Sequence, residues 1–506
     1  MNINSTSAFW YVASFHAAMS RSGSSIDWSV LFSPPNERIK RHQLFESLLW
    51  WVISSLVCPV LQNLFYITEA EGMANEIAYY QRPVWNVIRL ASAASLRKRC
   101  SGLMTTQLCC STLALDDLEG GILRPSSDQP LPTSHGQQLA ASRLRLLPKS
   151  SGVRPLMNLS KAVDPNTVSV NRSMDAVHRV LTFEMERQPK RLLGASVRNM
   201  DEIYKRVKPL FRQISSCPRC AERQRALGNA PLAYCVTVDI ERCFDTIKPR
   251  KLYQVLKKAI REDEYLIRKH WVGHQVAAVS SSAKNDAPLP SSSFFFKMER
   301  PAYPSGDFVG FDELAARSKK KNAMFVDGVL YDYLTKTKAL QLLKEHLFSN
   351  VVQIDGQDFV QRCGIPQGSV LSTTLCNMYY AHFERRVLRK RLPEVCDPAI
   401  VPVSCCQHEE LLRYTDDFMY ITTDLKRARR FFEVMHEGNE EYGCFVNVAK
   451  SQANFEVGNG QEALHPGPSE SIAWCGMLLD PSTLQLYVNY EKYVQPIDGR
   501  EGWPKY

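Results

Sequence analysis

The sequence has no uninterrupted apolar run of the ~20 residues that a membrane-spanning helix needs. Its best candidate, Leu48 to Leu61, is shorter, contains Pro59, and is closely flanked by Glu46, Gln62 and Asn63. This pattern predicts a buried amphipathic helix and no membrane partner. No charged segment precedes the apolar residues of the N-terminal MNINSTSAFWYVASFHAAMSRS, so a signal peptide is not expected. Regular cysteine spacing is also lacking. The 15 cysteines follow no framework, which points to a reducing compartment. Cys217-Pro-Arg-Cys220 is the one C-x-x-C, and with no second pair at zinc-finger spacing it reads as plain thiols. No internal repeat is present.

What remains is a chain of 506 residues, too long for one ordinary core and suited to two or three domains. Hydrophobic residues at 44% and charged residues at 23% exclude a disordered chain. A formal charge of +10 suits a phosphate-rich partner.

From Arg38 to about Arg99 the sequence reads as helices rich in aromatics, among them Trp50, Trp51, Phe65, Tyr66, Tyr79, Tyr80 and Trp85, with core packing the expected role for most. Leu115 to Gly136 reads as a solvated connection, and Ser216 to Ala230 as a loop before a strand. Between Ile260 and Lys321 the pattern weakens around Ser280–Ser282 and Ser291–Ser293, which suggests an insertion carrying some helix.

The chemistry concentrates in four strings. Ala233-Tyr-Cys-Val-Thr-Val-Asp239 alternates as a strand, with Asp239 ending it on the face opposite Tyr234, Val236 and Val238. Leu411-Leu-Arg-Tyr-Thr-Asp416-Asp417-Phe-Met-Tyr-Ile-Thr422 reads as a hairpin with both aspartates at the turn. Alone, such a pair is an ordinary surface turn. Adjacent acids repel, however, and a cation relieves that cost. If Asp239 lies beside the hairpin, three carboxylates converge, and hard oxygen ligands suit Mg²⁺, two ions of which serve nucleotidyl transfer. Gln361-Arg-Cys-Gly-Ile-Pro-Gln-Gly-Ser369 leads into a helical stretch from Val370 to Arg391. There Gly364 and Gly368 permit a close approach to a ligand, and Ser369 or Ser372 is placed to cap the helix. Finally, Arg143 to Asn158 reads as two strands around a Ser-Ser-Gly turn, presenting Lys149 and Arg154 as cations for a triphosphate or as two solvated charges.

In this order, and followed by Asn447-Val-Ala-Lys450 and Trp474-Cys-Gly-Met-Leu-Leu-Asp480, these strings resemble the reverse transcriptases. Leu64-Phe-Tyr-Ile-Thr-Glu69 with Tyr79-Tyr-Gln-Arg-Pro-Val-Trp85 is similar to the T motif of the telomerase reverse transcriptases. Leu192-Leu-Gly-Ala-Ser196, Tyr442-Gly-Cys-Phe-Val-Asn447, the Trp474-Cys475-Gly476 primer grip and the long gap between Asp239 and Asp416 select the same branch. The resemblance covers about Arg38 to Tyr490.

The resemblance implies an α+β right-hand polymerase with an antiparallel palm sheet, fingers and an inserted helical element. Residues 1–85 would hold the end of an RNA-binding domain, 86–230 the fingers, 231–480 the palm with the insertion at about 257–330, and 481–506 the start of a thumb that is otherwise largely absent. Asp239, Asp416 and Asp417, with the main chain of Ile240, would hold two Mg²⁺ ions. Lys149, Arg154, Gln367 and Gly368 would contact the incoming nucleotide, with Phe244 against its sugar 2′ position. Lys450 would approach the triphosphate, and Phe65, Tyr66, Thr68 and Glu69 would meet RNA. The implied partners are a telomerase RNA, a single-stranded telomeric DNA primer and deoxynucleoside triphosphates, and the implied location is the telomeric region of chromosomes in the nucleus. Lys319-Lys320-Lys321 is too short a run to establish targeting. The rival expectations are a retroelement reverse transcriptase and a truncated, noncatalytic RNA-binding product.

Overall fold

The computed structural model describes residues 35–490 apart from 70–76, 103–122, 126–138, 150–151, 228–230, 277–292, 307–309, 319, 321, 355–356, 393–407 and 458–470. Residues 1–34, Ser280–Ser282, Lys319, Lys321 and residues 491–506, expected to begin a thumb, therefore lie outside the described residues, as does most of the connection at 115–136. The chain divides into two compact units, Met1–Ala91 and Ser92–Tyr506.

In the first unit, helix α1 (Pro35–Trp51) passes through a π-turn (Val52–Val57) directly into α2 (Cys58–Leu64). Pro59 lies just beyond the π-turn within this continuous helix. The expectation of a buried amphipathic helix is overturned, because Leu48, Trp50, Trp51 and Leu56 are all exposed. By length and composition alone, Ile39–Leu64 is long and apolar enough to cross a membrane. The expected run of helices is also interrupted by an antiparallel hairpin, β1 (Phe65–Glu69) with β2 (Ile77–Gln81). Alternating aromatic and β-branched residues favour the strand there. Tyr66 stacks on the buried Trp85 of α3 (Arg82–Gly102), with ring centroids 4.1 Å apart.

The second unit opens with β3 (Leu123–Pro125), β4 (Ser142–Lys149) and β5 (Gly152–Asn158). Helices α4 (Val170–Arg187), α5 (Pro189–Leu192), α6 (Met200–Ser215) and α7 (Pro218–Leu227) follow. In α6, Asn199 caps the first turn by accepting from the Glu202 amide, and Ile203, Val207, Leu210 and Ile214 bury one face at helical spacing. The expected loop at 216–230 is instead mostly α7, since Ala, Glu, Arg, Gln and Leu behind an N-terminal Pro favour a helix.

Strand β6 (Tyr234–Asp239) precedes the short α8 (Cys243–Thr246) and α9 (Pro249–Ala259). The insertion expected to be helical is built chiefly of strands: β7 (Glu264–Val276), β8 (Ser293–Glu299), β9 (Ala302–Pro304) and β10 (Ala323–Thr335), with α10 (Phe311–Arg317) as its one described helix. Aromatic and β-branched residues such as Tyr265, Ile267, Trp271, Val272 and Phe294–Phe296 explain the difference. Here β7 lies between β10 and β8 and also pairs with β9, always antiparallel.

Next come α11 (Lys336–Phe348), β11 (Val351–Ile354), β12 (Gln357–Gln361) and α12 (Ser372–Phe383), which continues through a π-turn (Glu384–Leu388) into α13 (Arg389–Arg391). Hairpin β13 (Glu409–Tyr414) and β14 (Asp417–Thr422) leads to α14 (Leu425–Glu437) and then to β15 (Gln452–Ala453), β16 (Ile472–Trp474), β17 (Met477–Leu479) and β18 (Leu486–Val488). A five-stranded sheet has the order β3-β12-β11-β4-β5, in which only β11 and β4 run parallel. The central sheet has the order β13-β14-β6-β15 and is wholly antiparallel.

Both faces of that central sheet are buried. Val236, Val238, Phe418 and Tyr420 pack with residues of α4, α9, α12 and α14. Cys235, Met419 and Ile421 pack with α6 and the β16–β17 strands. A buried ion pair sits in this interior. Arg413 of β13 is fully buried, and its Nε donates to Glu384 Oε1 at 2.6 Å. Its other nitrogens donate to Asn377 Oδ1 and to the carbonyls of Leu193, Asn377 and Thr415. Glu384 Oε2 accepts from the Ala195 amide at 2.8 Å.

Removing one partner of a buried, fully bonded pair strands the other charge. Glu384→Gln is expected to lower the unfolding free energy by about 3–5 kcal/mol, and Arg413→Met with Glu384→Met to recover part of that loss. Urea denaturation of the chain measures both, and a loss below about 1 kcal/mol for Glu384→Gln would contradict the assignment.

Candidate active site

Strand pairing brings the three predicted carboxylates together. Asp239 ends β6 directly opposite Asp417, the first residue of β14. Thr415 and Asp416 form the two-residue turn between β13 and β14, and the Asp416 carbonyl accepts from the Ile240 amide at 3.3 Å. Thr415 has φ +60°, a left-handed conformation unfavourable for a β-branched residue. Its carbonyl is held there by Arg413 Nη1 at 3.1 Å and by the Cys376 thiol at 3.9 Å.

The electrostatics follow from this crowding. Burial first, then Asp416 and Asp239, push the Asp417 carboxyl up to about 7. Burial first, then Asp239, also raises Asp416, with Lys450 and Arg154 acting in the opposite sense. A divalent cation removes this repulsion, and an all-oxygen donor set suits a hard ion, so these residues fit such a group. Ile240 is buried immediately after Asp239, so its contribution to a cation would be its main-chain oxygen. Lys450 Nζ lies 2.9 Å from Asp239 Oδ2, and this hydrogen bond raises its affinity for its proton.

A second set of contacts links two of the predicted nucleotide residues, Arg154 and Gln367, to Asp245. Arg154 Nε donates to Gln367 Oε1 at 2.9 Å, and Gln367 Nε2 donates to Asp245 Oδ1 at 2.9 Å. The Met157 amide donates to the Gln367 carbonyl at 2.8 Å. Asp245 was not singled out by sequence reasoning, although it adjoins Phe244 in Cys243-Phe-Asp-Thr246. Phe244 is half-buried against the main core, and its carbonyl accepts from the Ile365 amide. Lys149 ends β4 opposite Gly152.

The glycine-bearing loop packs closely on the chain itself. Gly364 (φ +69°) and Gly368 (φ +107°) make their close approach to the chain's own backbone: an added Cβ would lie 2.4 Å from the Phe244 carbonyl oxygen and 2.3 Å from that of Met157. Neither Ser369 nor Ser372 is the N-cap residue of α12, which is Leu371, although Ser369 Oγ accepts from the Leu371 amide at 3.2 Å. Ser372 already lies in the helix, and its hydroxyl donates to the carbonyls of Pro366 and Ser369.

Trp474-Cys475-Gly476 forms the β16–β17 turn, with Cys475 (φ +49°) and Gly476 (φ +79°) both left-handed. The Cys475 thiol lies 3.6 Å from Asp417 Oδ2, so this turn adjoins the carboxylates. Phe65, Tyr66, Thr68 and Glu69 belong to the β1–β2 hairpin of the first unit. Within it Thr68 is buried and Glu69 exposed.

Comparison with known proteins agrees with this geometry. Residues 9–96 match the family described as "Telomerase ribonucleoprotein complex - RNA binding domain", and residues 314–479 match "Reverse transcriptase (RNA-dependent DNA polymerase)". The apolar helix Ile39–Leu64 thus lies inside the RNA-binding match. The chain is 27% identical to the telomerase reverse transcriptase of Rattus norvegicus over 475 residues, covering 91% of this chain and 38% of that protein. It is 26% identical to that of Oryza sativa over 466 residues, covering 90% and 32%. Among solved structures, apo telomerase from Candida tropicalis matches with TM-score 0.59 at 17% identity, covering 94% of this chain and 65% of that one. Telomerase from Candida albicans with a fragment of telomeric RNA matches with TM-score 0.56 at 17% identity, covering 90% and 59%. The chain therefore resembles telomerase reverse transcriptases along nine-tenths of its length while spanning less than two-fifths of these curated relatives.

The loop geometry is testable by itself. Gly364→Ala forces a Cβ into a left-handed position against a carbonyl and is expected to cost about 1–3 kcal/mol. An unchanged denaturation midpoint would contradict the packing of this loop on α8.

Proposed function

We propose that this relative of the telomerase reverse transcriptases is an RNA-directed DNA polymerase that extends telomeric DNA 3′ ends on a bound RNA template. The observation that carries the reading is the in-register pairing of Asp239 with Asp417 beside a turn that presents Asp416. The match of residues 9–96 to a telomerase RNA-binding domain favours this over a retroelement enzyme.

In this proposal Asp239, Asp416 and Asp417, with the Ile240 carbonyl, hold two Mg²⁺ ions. When bound, these ions activate the primer 3′-hydroxyl and offset charge on the leaving pyrophosphate. The remaining work belongs to the chain. Arg154, oriented by Gln367, and Lys149 neutralise the triphosphate. Lys450 keeps a proton close to Asp239, within reach of the pyrophosphate. The Trp474-Cys475-Gly476 turn, touching Asp417 through its thiol, sets the primer terminus against the carboxylates. Phe244 closes the sugar pocket against a 2′-hydroxyl.

We assign the β1–β2 hairpin residues Phe65, Tyr66, Thr68 and Glu69 to contact with the RNA, residues 86–230 to the fingers and 231–480 to the palm. The substrates are deoxynucleoside triphosphates and single-stranded telomeric DNA, and the workplace is the chromosome end in the nucleus.

Primer extension tests the reading. The chain, reconstituted with its host's telomerase RNA, should add repeats to a telomeric primer, and Asp416→Ala should reduce addition by at least about 10³-fold. Undiminished extension by that variant would sink the metal assignment. In the same assay Phe244→Ala should raise ribonucleotide incorporation relative to deoxynucleotide, and unchanged sugar selectivity would remove Phe244 as the gate.

A further inference from the structure

A cluster of soft ligands lies at the other end of the catalytic hairpin. Cys217 immediately precedes α7 and Cys220 sits within its first turn, so the two are one helical turn apart on one side. The Ala221 amide donates to the Cys217 carbonyl at 3.2 Å, which extends the turn over Cys217. His408 immediately precedes β13, and exchanges hydrogen bonds with Thr423: its amide donates to Thr423 Oγ1 at 3.1 Å and its carbonyl accepts from the Thr423 amide at 3.0 Å. Fold topology therefore brings a histidine distant in sequence to the C-x-x-C pair. The ligating atoms of Cys217, Cys220 and His408 all lie within 4.8 Å of one another. Cys220 is buried, while Cys217 and His408 are partly exposed.

Two further features point to a metal. His408 Nε2 is buried and has no hydrogen-bond partner among the described residues, an uncommon state for a polar atom. Both thiols stand at the start of α7, where the C-x-x-C spacing presents two ligands toward one point. Thiolates about 2.3 Å from a tetrahedral zinc ion lie about 3.8 Å apart, so a small inward movement closes the cluster.

We propose that Cys217, Cys220 and His408 bind one zinc ion, with solvent completing the tetrahedron on the partly exposed Cys217 side. Two sulfurs and an imidazole select a borderline-soft ion and discriminate against Mg²⁺. The six residues of β13 separate this site from Asp416 by about 20 Å, so it is distinct from the carboxylate centre. Its role is structural. Helix α6 already packs Val207, Leu210 and Ile214 in the same cluster as Leu412 of β13. The ion clips the α6–α7 corner to the base of the hairpin that carries Asp416 and Asp417. Reading the C-x-x-C as plain thiols rested on the lack of a second ligand pair nearby in sequence, and His408 supplies the third ligand from another element.

The test is metal analysis of the full chain purified from zinc-supplemented medium without chelators. About one zinc per chain is expected, falling to background in Cys217→Ser with Cys220→Ser and retained in Cys58→Ser. Should the double variant fail to fold, chain produced with cobalt decides. A thiolate-to-cobalt charge-transfer band supports the site, and its absence overturns it. A zinc-selective chelator in Mg²⁺ buffer should lower Tm. Zinc far below one per chain, zinc indifferent to the cysteine substitutions, or a Cys217–Cys220 disulfide in place of the metal would each overturn the proposal. Because every readout is metal content, spectrum or stability, the outcome is independent of polymerase activity.

Discussion

The second unit depends on one buried cation. Arg413 occupies the strand that leads to the Thr415-Asp416 turn, and its side chain is fully buried. Each of its donors is met by a group from a different part of the chain: the Glu384 carboxylate in the π-turn after α12, Asn377 within α12, and the Leu193 carbonyl near the end of α5. Backbone bonds Val197 N to Arg413 O and Arg413 N to Ala195 O add the Leu192–Ser196 segment to the edge of the same strand. Gly194 makes this possible, since a Cβ there would lie 2.1 Å from Glu384 Oε2. A charge that is costly to bury alone thus fixes the register of four segments at once.

The turn that presents Asp416 inherits that rigidity. Arg413 donates to the Thr415 carbonyl, so the same side chain that locks α12 also holds the strained residue beside Asp416. The carboxylates crowd because the strands that carry them cannot slide apart: Asp239 and Asp417 are paired, and both sheet faces are packed. Repulsion held in place in this way favours a cation beside the three carboxylates.

How much of this was legible in the sequence varies with the range of the interaction. Local signals read well. The period-2 pattern up to Asp239 and the apolar runs around Asp416-Asp417 specify the strands, and the resemblance orders them into a palm. Long-range contacts were not legible. Nothing in the sequence near Arg413 announces Glu384, and nothing near Gln367 announces Asp245. The insertion was misread because its serine-rich gaps hide strands whose partners lie far along the chain. The loop read at 216–230 and the helices read at 65–81 failed for another reason: mixed polar segments carry weak periodicity, and there propensity and pairing decide. At Gly364 and Gly368 the sequence marks points of close approach, and the structure shows the chain's own carbonyls among the groups that come near.

The thiol of Cys475, 3.6 Å from Asp417 Oδ2, couples two turns that lie 58 positions apart in the sequence. Each turn holds a residue with a side chain in the left-handed region, Thr415 in one and Cys475 in the other. A change that resets the β16–β17 turn therefore moves a group that touches a carboxylate, so the spacing of the aspartates answers to residues far from them in the chain.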